Sequence, residues 1–149
     1  MKIIGLILIS IIPILIALNY RNRLKEKRDT LVEIVSLLKS VKQAVRHTRS
    51  PINEILDKIN NPLIIGDNTN AKENLYTNLF SHKSELEIVK NCFNKIEGLD
   101  ILSADEELDL CIEQLTESES EAIKAYKERS DYYVKLGALG SAFVLIILI

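Results

Sequence analysis

Tryptophan is absent, phenylalanine occurs three times, and the 149 residues include only two cysteines, three prolines and five glycines. With so few aromatic side chains a core has to be assembled from Leu, Ile and Val, as in a small helical bundle. Strand signals are correspondingly scarce. Cys92 and Cys111 lie far apart in the sequence, lack a Cys-x-x-Cys spacing and fall on apolar helical faces. They read as buried thiols, not as a disulfide or a metal pair. His47 and His82 are isolated, and neither a His-Glu-x-x-His pair nor a Gly-rich phosphate loop is present. The acidic residues lie on solvated helical faces and form no sequestered pair for acid–base work. The sequence therefore predicts a non-enzymatic chain, with no catalytic residue, no cofactor and no metal.

Charge is missing from two stretches, residues 3–18 and residues 136–149, while the segment between them holds nearly every Lys, Arg, Asp and Glu. The first stretch makes a helix roughly 24 Å long at about 1.5 Å per residue, somewhat short of the roughly 30 Å hydrocarbon layer. Lys2 can snorkel at one end, and Asn19 and Tyr20 can sit among headgroups at the other. Pro13 is expected only to kink such a helix, because neighbours satisfy the carbonyl it frees. A cleaved secretory signal fits poorly, since only Lys2 precedes the apolar run and Ala17-Leu18-Asn19 is a weak cleavage site. The second stretch is approached by Tyr132 and Tyr133, placed like interfacial aromatics, and by Lys135. Gly137, Ala138, Gly140, Ser141 and Ala142 then give it small side chains, which suit either close helix packing, including self-association, or plain lipid exposure. The expected division is an anchor at residues 3–19, a helical domain at residues 20–135 and a second anchor at residues 136–149.

Arg21, Arg23, Lys25, Lys27 and Arg28 closely follow the first anchor. Positive residues beside a span stay in the cytoplasm, so the middle domain is expected there, with both chain termini across the membrane. The same placement of basic residues against lipid argues against nucleic-acid binding.

Within the middle domain, Leu24, Leu31, Ile34 or Val35, Leu38, Val41 and Val45 recur at the three-and-four spacing of a helix with one buried stripe. Ser50-Pro51 resembles an N-cap followed by proline at the first helical position, opening a short helix with Ile52, Ile55, Leu56 and Ile59 inward. Asn60, Asn61, Pro62 and Gly66-Asp67-Asn68 mark a loop in which Leu63, Ile64 and Ile65 tuck inward. A weaker helix at residues 71–80 supplies Leu75, Leu79 and Phe80. Ser84 with Glu87, and Ser103 with Glu106, fit capping boxes. Gly98 and Asp100 interrupt the helix of Leu86, Val89, Phe93 and Ile96. From Ala104 no Gly or Pro appears until Gly137, so one long helix is expected to run into the second anchor. Leu108, Cys111 or Ile112, Leu115, Ala122, Tyr126 and Tyr133 keep near-heptad spacing along it, suited to antiparallel packing on the first helix.

Asp100, Asp105, Glu106, Glu107, Asp109, Glu113, Glu117, Glu119 and Glu121 follow one another without a Lys or Arg, whereas residues 21–49 are strongly basic. Solubility, helix-dipole complementarity and attraction to anionic headgroups account for this plainly. A docking surface for a basic partner is the sharper alternative, with the charge steering its approach.

Arg21 to Leu24, the run Ser50-Pro51-Ile52-Asn53-Glu54-Ile55-Leu56, residues 103–115, and Tyr133-Val134-Lys135-Leu136-Gly137-Ala138-Leu139-Gly140 with its apolar end resemble, in this order, the stage III sporulation protein AB family. The resemblance covers nearly the whole chain. The chain is shorter than typical members around residues 62–70 and departs from the family after Ser103. The family is similar to the cytoplasmic F-domain of the type II secretion inner-membrane platform protein. What the resemblance implies is an all-α, membrane-anchored bundle flanked by two transmembrane helices. It would be a platform or adaptor in a trans-envelope channel complex between mother cell and forespore, placed in the mother-cell membrane with its domain facing the cytoplasm. Its partners would be other channel proteins, a secretion-type ATPase that supplies the energy, and membrane lipids. Ser50, Pro51, Asn53, Glu54, Asp105, Glu106, Glu107, Asp109 and Glu113 are then the candidate partner contacts, and Tyr20, Arg21, Arg23, Lys25, Tyr132, Tyr133 and Lys135 the membrane-interface residues.

Two rival classes compete with this reading. A two-anchor sensor with an outward ligand-binding bundle is opposed by the Arg-rich exit from the first anchor, and would need an output module after the second. A structural coiled coil without a machine partner would lack the corner at Pro51.

Overall fold

The computed structural model describes the backbone of residues 2–148 and the side chains of residue 5 and residues 7–147. It is 85% helical, with no strand among the described residues. Five α-helices follow in order: α1 (Lys2–His47), α2 (Ile52–Lys58), α3 (Ala71–Asn78), α4 (Lys83–Ile96) and α5 (Ile101–Leu148), with a 3-10 turn at Pro62–Ile64 between α2 and α3. The chain divides into two compact units, Met1–Arg28 with Glu121–Ile149, and Asp29–Ser120.

In the first unit the two chain ends form an antiparallel helix pair. Gly137 on α5 meets Ala17 and the backbone of Pro13 on α1, and Gly140 meets the Pro13 ring. The glycines let the two backbones approach, which is the use of small residues in membrane helix pairs. Ala17 is buried there, while Leu8, Leu15, Ile16, Leu139, Phe143 and Ile146 remain bare. Exposed apolar surface on this scale is costly in water. Both helices are long and apolar enough to cross a membrane, and the two apolar ends are consistent with membrane anchors.

The second unit holds the larger core. Leu31, Ile34, Leu37, Leu38 and Val41 of α1 are at most 1% exposed, as are Leu56 of α2, Leu75 of α3 and Leu79 at its C-cap, Val89 and Phe93 of α4, and Leu108 and Leu115 of α5. Each side chain enclosed this way contributes about 1.5–3 kcal/mol relative to exposure. The expected stripe on α1 is present, with Leu24 and Val45 half-buried at its two ends. The stripe on α4 gains Cys92, and that on α5 uses Ala104, Leu108, Cys111 and Leu115.

Asparagines fasten the linking loop. Asn61 accepts from the Leu63 amide at 2.9 Å and donates to the Glu33 carbonyl at 3.3 Å. Asn74 brackets Asn68, accepting from its amide and donating to its carbonyl, each at 3.0 Å. Asn78 donates to the carbonyls of Leu63 and Ile65. These side chains replace the regular hydrogen bonding that a loop lacks.

Several local expectations are corrected. Pro51, at φ −56° and ψ 150°, itself occupies the cap of α2, so Ser50 stands one residue outside the helix and no side chain makes a capping bond there. His82 occupies the cap of α4, and the Ser84 hydroxyl turns to Glu85 at 2.7 Å instead of pairing with Glu87. The α5 cap is Asp100, whose carbonyl accepts from Ala104 and whose carboxylate accepts from Ser103, so no box forms between Ser103 and Glu106. Phe80 and Ile65 were expected inward but stand 70% and 69% exposed, because α3 ends at Asn78 and the 3-10 turn buries Ile64 in place of Ile65. Cys92 and Cys111 are buried free thiols, as expected, and the reversal at Gly98, with φ +92°, is followed by an α5 on which Cys111 lines one shallow cleft with Cys92.

Candidate functional site

Helix α1 ends where its chain meets the residues before a proline. The Thr48 amide and hydroxyl both donate to the Ala44 carbonyl, at 2.8 and 2.9 Å, closing the last turn. Residues before proline favour extended backbone, so the chain leaves the helix through Arg49 and Ser50 and re-enters one at Ile52. On the other side, α4 stops at Ile96, Gly98 takes its positive φ, and Asp100 starts α5.

These two corners face each other across a cleft of about 960 Å³. Val45, Thr48, Arg49, Ser50, Pro51, Ile52 and Asn53 form one wall; residues 96–102 and Ala104 form the other. Leu102 is 76% exposed and Leu99 44%, so both leave apolar surface at this cleft. Asp100 is engaged in its own cap: the Ser103 hydroxyl donates to it at 2.5 Å, and that bond, with the Ser103 amide, holds its carboxyl below the usual carboxylate range.

Beside the cleft, Arg46 grips Asp105 with two bonds, Nε to Oδ1 at 2.7 Å and Nη2 to Oδ2 at 2.8 Å. The Arg46 hydrogen bond is the main cause of the depressed Asp105 carboxyl, with the Arg46 and Lys42 charges adding to it. Lys42 also pairs with Asp109. Further along, Lys95 lies 3.4 Å from Glu107, and Lys72 2.7 Å from Glu97.

Ser50, Pro51 and Asn53 all line the cleft, and Glu54 is exposed one residue on. Asp105 and Asp109 are held by α1, Glu107 is paired to α4, and Glu106 and Glu113 are exposed with no ion-pair partner among the described residues. The candidate contacts thus sort into a cleft group, an internally paired group and an outward group. Sequence reasoning missed Leu99 and Leu102. Their signal was there: Leu99 is a large apolar residue in the turn before α5, and Leu102 one in its first turn that lies off the buried stripe.

The interface residues gather in the first unit. The Tyr20 and Tyr133 rings lie 4.2 Å apart at 48°, and Tyr132 meets Tyr133 edge-on at 5.8 Å. The Arg28 guanidinium sits 4.3 Å over the Tyr126 ring. Arg21, Arg23, Lys25 and Lys135 are exposed.

Apolar walls, a polar rim and side chains already committed to caps equip the cleft to hold an apolar segment of another molecule. Among the described residues, no group of three His, Cys, Asp or Glu could hold a metal. A family model described as stage III sporulation protein AB matches residues 69–149, which include α3, α4, α5 and the Leu99–Leu102 wall of the cleft. No curated protein and no solved structure matches the chain.

Proposed function

Because the chain belongs to the stage III sporulation protein AB family, we propose that it is a non-enzymatic membrane adaptor that couples a cytoplasmic secretion-type ATPase to a trans-envelope channel between mother cell and forespore. The observation that carries this reading is the cleft between the Ser50–Asn53 corner and the Leu99–Leu102 turn, whose apolar lining is exposed and whose acidic residues Asp100 and Glu97 are tied into a cap and an ion pair. A surface of this kind grips and does not react. The bare apolar faces of α1 and α5 support anchoring in lipid, here the mother-cell membrane around the forespore. Arg21, Arg23 and Lys25, exposed on α1 beside the first apolar stretch, support a cytoplasmic position for the Asp29–Ser120 unit. In this assignment the ATPase supplies the energy, and the other channel proteins, with a further copy of this chain where the assembly requires it, complete the platform.

The test is co-purification from sporulating cells. Leu102→Asp places a charge at the cleft on a side chain exposed enough to leave folding intact. The tagged wild-type protein should retain the ATPase and the Leu102→Asp variant should lose most of it. Equal recovery by both would remove the cleft from the coupling surface. Labelling of Ser84→Cys in a cysteine-free background checks orientation: reaction with an impermeant reagent only after cell breakage is expected, and reaction in intact cells would reverse the assignment.

A further inference from the structure

Cys92 lies on the buried face of α4 and Cys111 on the buried stripe of α5, both as free thiols with 5% and 6% exposure. Each thiol perturbs the other across the helix pair. Both also line a shallow cleft of about 480 Å³ that opens to solvent, with Lys95 and Glu107 at its edge. A small solute that enters this cleft therefore meets both cysteines. Neither the family membership nor the adaptor surface gives this pair a role.

We infer that Cys92 and Cys111 are a redox-active dithiol, which a peroxide converts into an intramolecular disulfide joining α4 to α5. The thiolate is the reactive form of cysteine. The hydrogen bond from Cys111 is the main influence holding Cys92 below the ordinary thiol value, and the Lys95 charge assists; burial and Glu107 oppose it. Cys111, as the donor, is pushed above that value, chiefly by the same bond and then by burial. Cys92 is accordingly the attacking sulfur and Cys111 the resolving one. The Cys92 thiolate attacks one peroxide oxygen, the O–O bond breaks, and the departing hydroxide takes up a proton to leave as water. The resulting sulfenic acid is attacked by the Cys111 sulfur; the S–S bond forms as the S–O bond breaks, and the hydroxyl leaves with the Cys111 proton as a second water. Two thiols are oxidised and one peroxide is reduced. The closed ring contains the Gly98 turn, so the bond fixes the wall of the larger cleft formed by Leu99 and Leu102. The chemistry itself needs no partner and holds whatever occupies that cleft.

The full-length protein in detergent micelles, treated with hydrogen peroxide, alkylated, digested and mapped by mass spectrometry, supplies the test. A single linked peptide pair joining Cys92 to Cys111, lost on adding dithiothreitol, is expected. Cys111→Ser should stop at a Cys92 sulfenic acid that dimedone traps, at several-fold higher yield than Cys111 gives in Cys92→Ser. The wild-type map decides the matter even where a variant folds poorly. Two thiols still open to alkylation at peroxide levels that oxidise free glutathione, or links found only between molecules, would overturn the inference. Preferential trapping of Cys111 would overturn the assignment of the attacking sulfur.

Discussion

Replacing Gly137 with alanine tests the helix pair of the first unit directly. A Cβ at this position would lie 2.7 Å from the Ala17 Cβ and 3.1 Å from the Pro13 carbonyl oxygen. Carbon atoms pack comfortably at about 3.5–4.0 Å, so α1 and α5 have to separate locally by about 1 Å. Neither obstacle can swing aside, because one is a methyl fixed to a helix and the other is backbone. Overpacking of this kind costs about 1–3 kcal/mol, and alanine returns about 1 kcal/mol through its better helix propensity. The expected net loss for Gly137→Ala is therefore up to about 2 kcal/mol. At Gly140 the added carbon would meet the Pro13 ring at 3.5 Å, an ordinary contact, so Gly140→Ala keeps the propensity gain without the clash. Thermal unfolding in micelles, followed by circular dichroism, should rank Gly140→Ala at or above wild type and Gly137→Ala below it. Adding Ala17→Gly to Gly137→Ala removes the closer obstacle and should restore part of the loss; the contact with the Pro13 oxygen keeps the rescue incomplete. Equal melting of the two single alanine variants, or a double variant no better than Gly137→Ala, would refute the close packing of α1 on α5.

The remaining predictions concern the second unit. Asp105, whose folded carboxyl is depressed mainly by Arg46, adds stability at pH values above the usual carboxylate range and loses it as pH falls through its lowered folded value. Asp105→Asn should therefore melt slightly below wild type at neutral pH, with the gap closing on acidification; a gap that is constant down to low pH would rule out the linkage. Gly98→Ala meets no atom within 4 Å, so its whole effect comes from the φ of +92° that an L-residue tolerates poorly. A loss of about 1–2 kcal/mol is expected, measured by thermal unfolding, and unchanged melting would mean that the turn relaxes to another conformation.

Periodicity made the long elements legible. The stripes from Leu31 to Val41, from Leu86 to Ile96 and from Leu108 to Leu115 are each a run of three-and-four spacings, and each is buried as that pattern requires. Cap chemistry was less legible, because a serine three residues before a glutamate is only one of several ways to satisfy a first turn. At α5 the acceptor was Asp100, which reaches the first free amides sooner than Ser103 could. At α2 the cap position falls on Pro51, which has no side-chain acceptor, and Ser50 lies one residue outside it. Phe80 failed for a different reason: the helix pattern was extended two residues past Asn78, and the chain turns there. Least legible were the pairings that depend on two corners folding toward each other. Nothing along the chain says that Asn53 will share a cleft with Leu102, or Cys92 another with Cys111, because both follow from the reversal at Gly98.

That reversal also changes what the acidic segment means. Read along the chain, Asp105, Glu106 and Glu107 are one uniform patch for a basic partner. In the folded unit Asp105 is held by Arg46 and Lys42, and Glu107 by Lys95, so two of the three charges are partly neutralised from within. Reversing Asp105 would put a negative site's cationic neighbours against a new cation, destabilising the α1–α5 contact as well as altering any outer surface. Reversing Glu106 leaves those pairs intact. A defect in partner binding shared by Glu106→Lys and Glu113→Lys, at unchanged melting temperature, would assign the steering to the outward charges. A defect confined to Asp105→Lys and accompanied by a lower melting temperature would trace the same loss of binding to the fold.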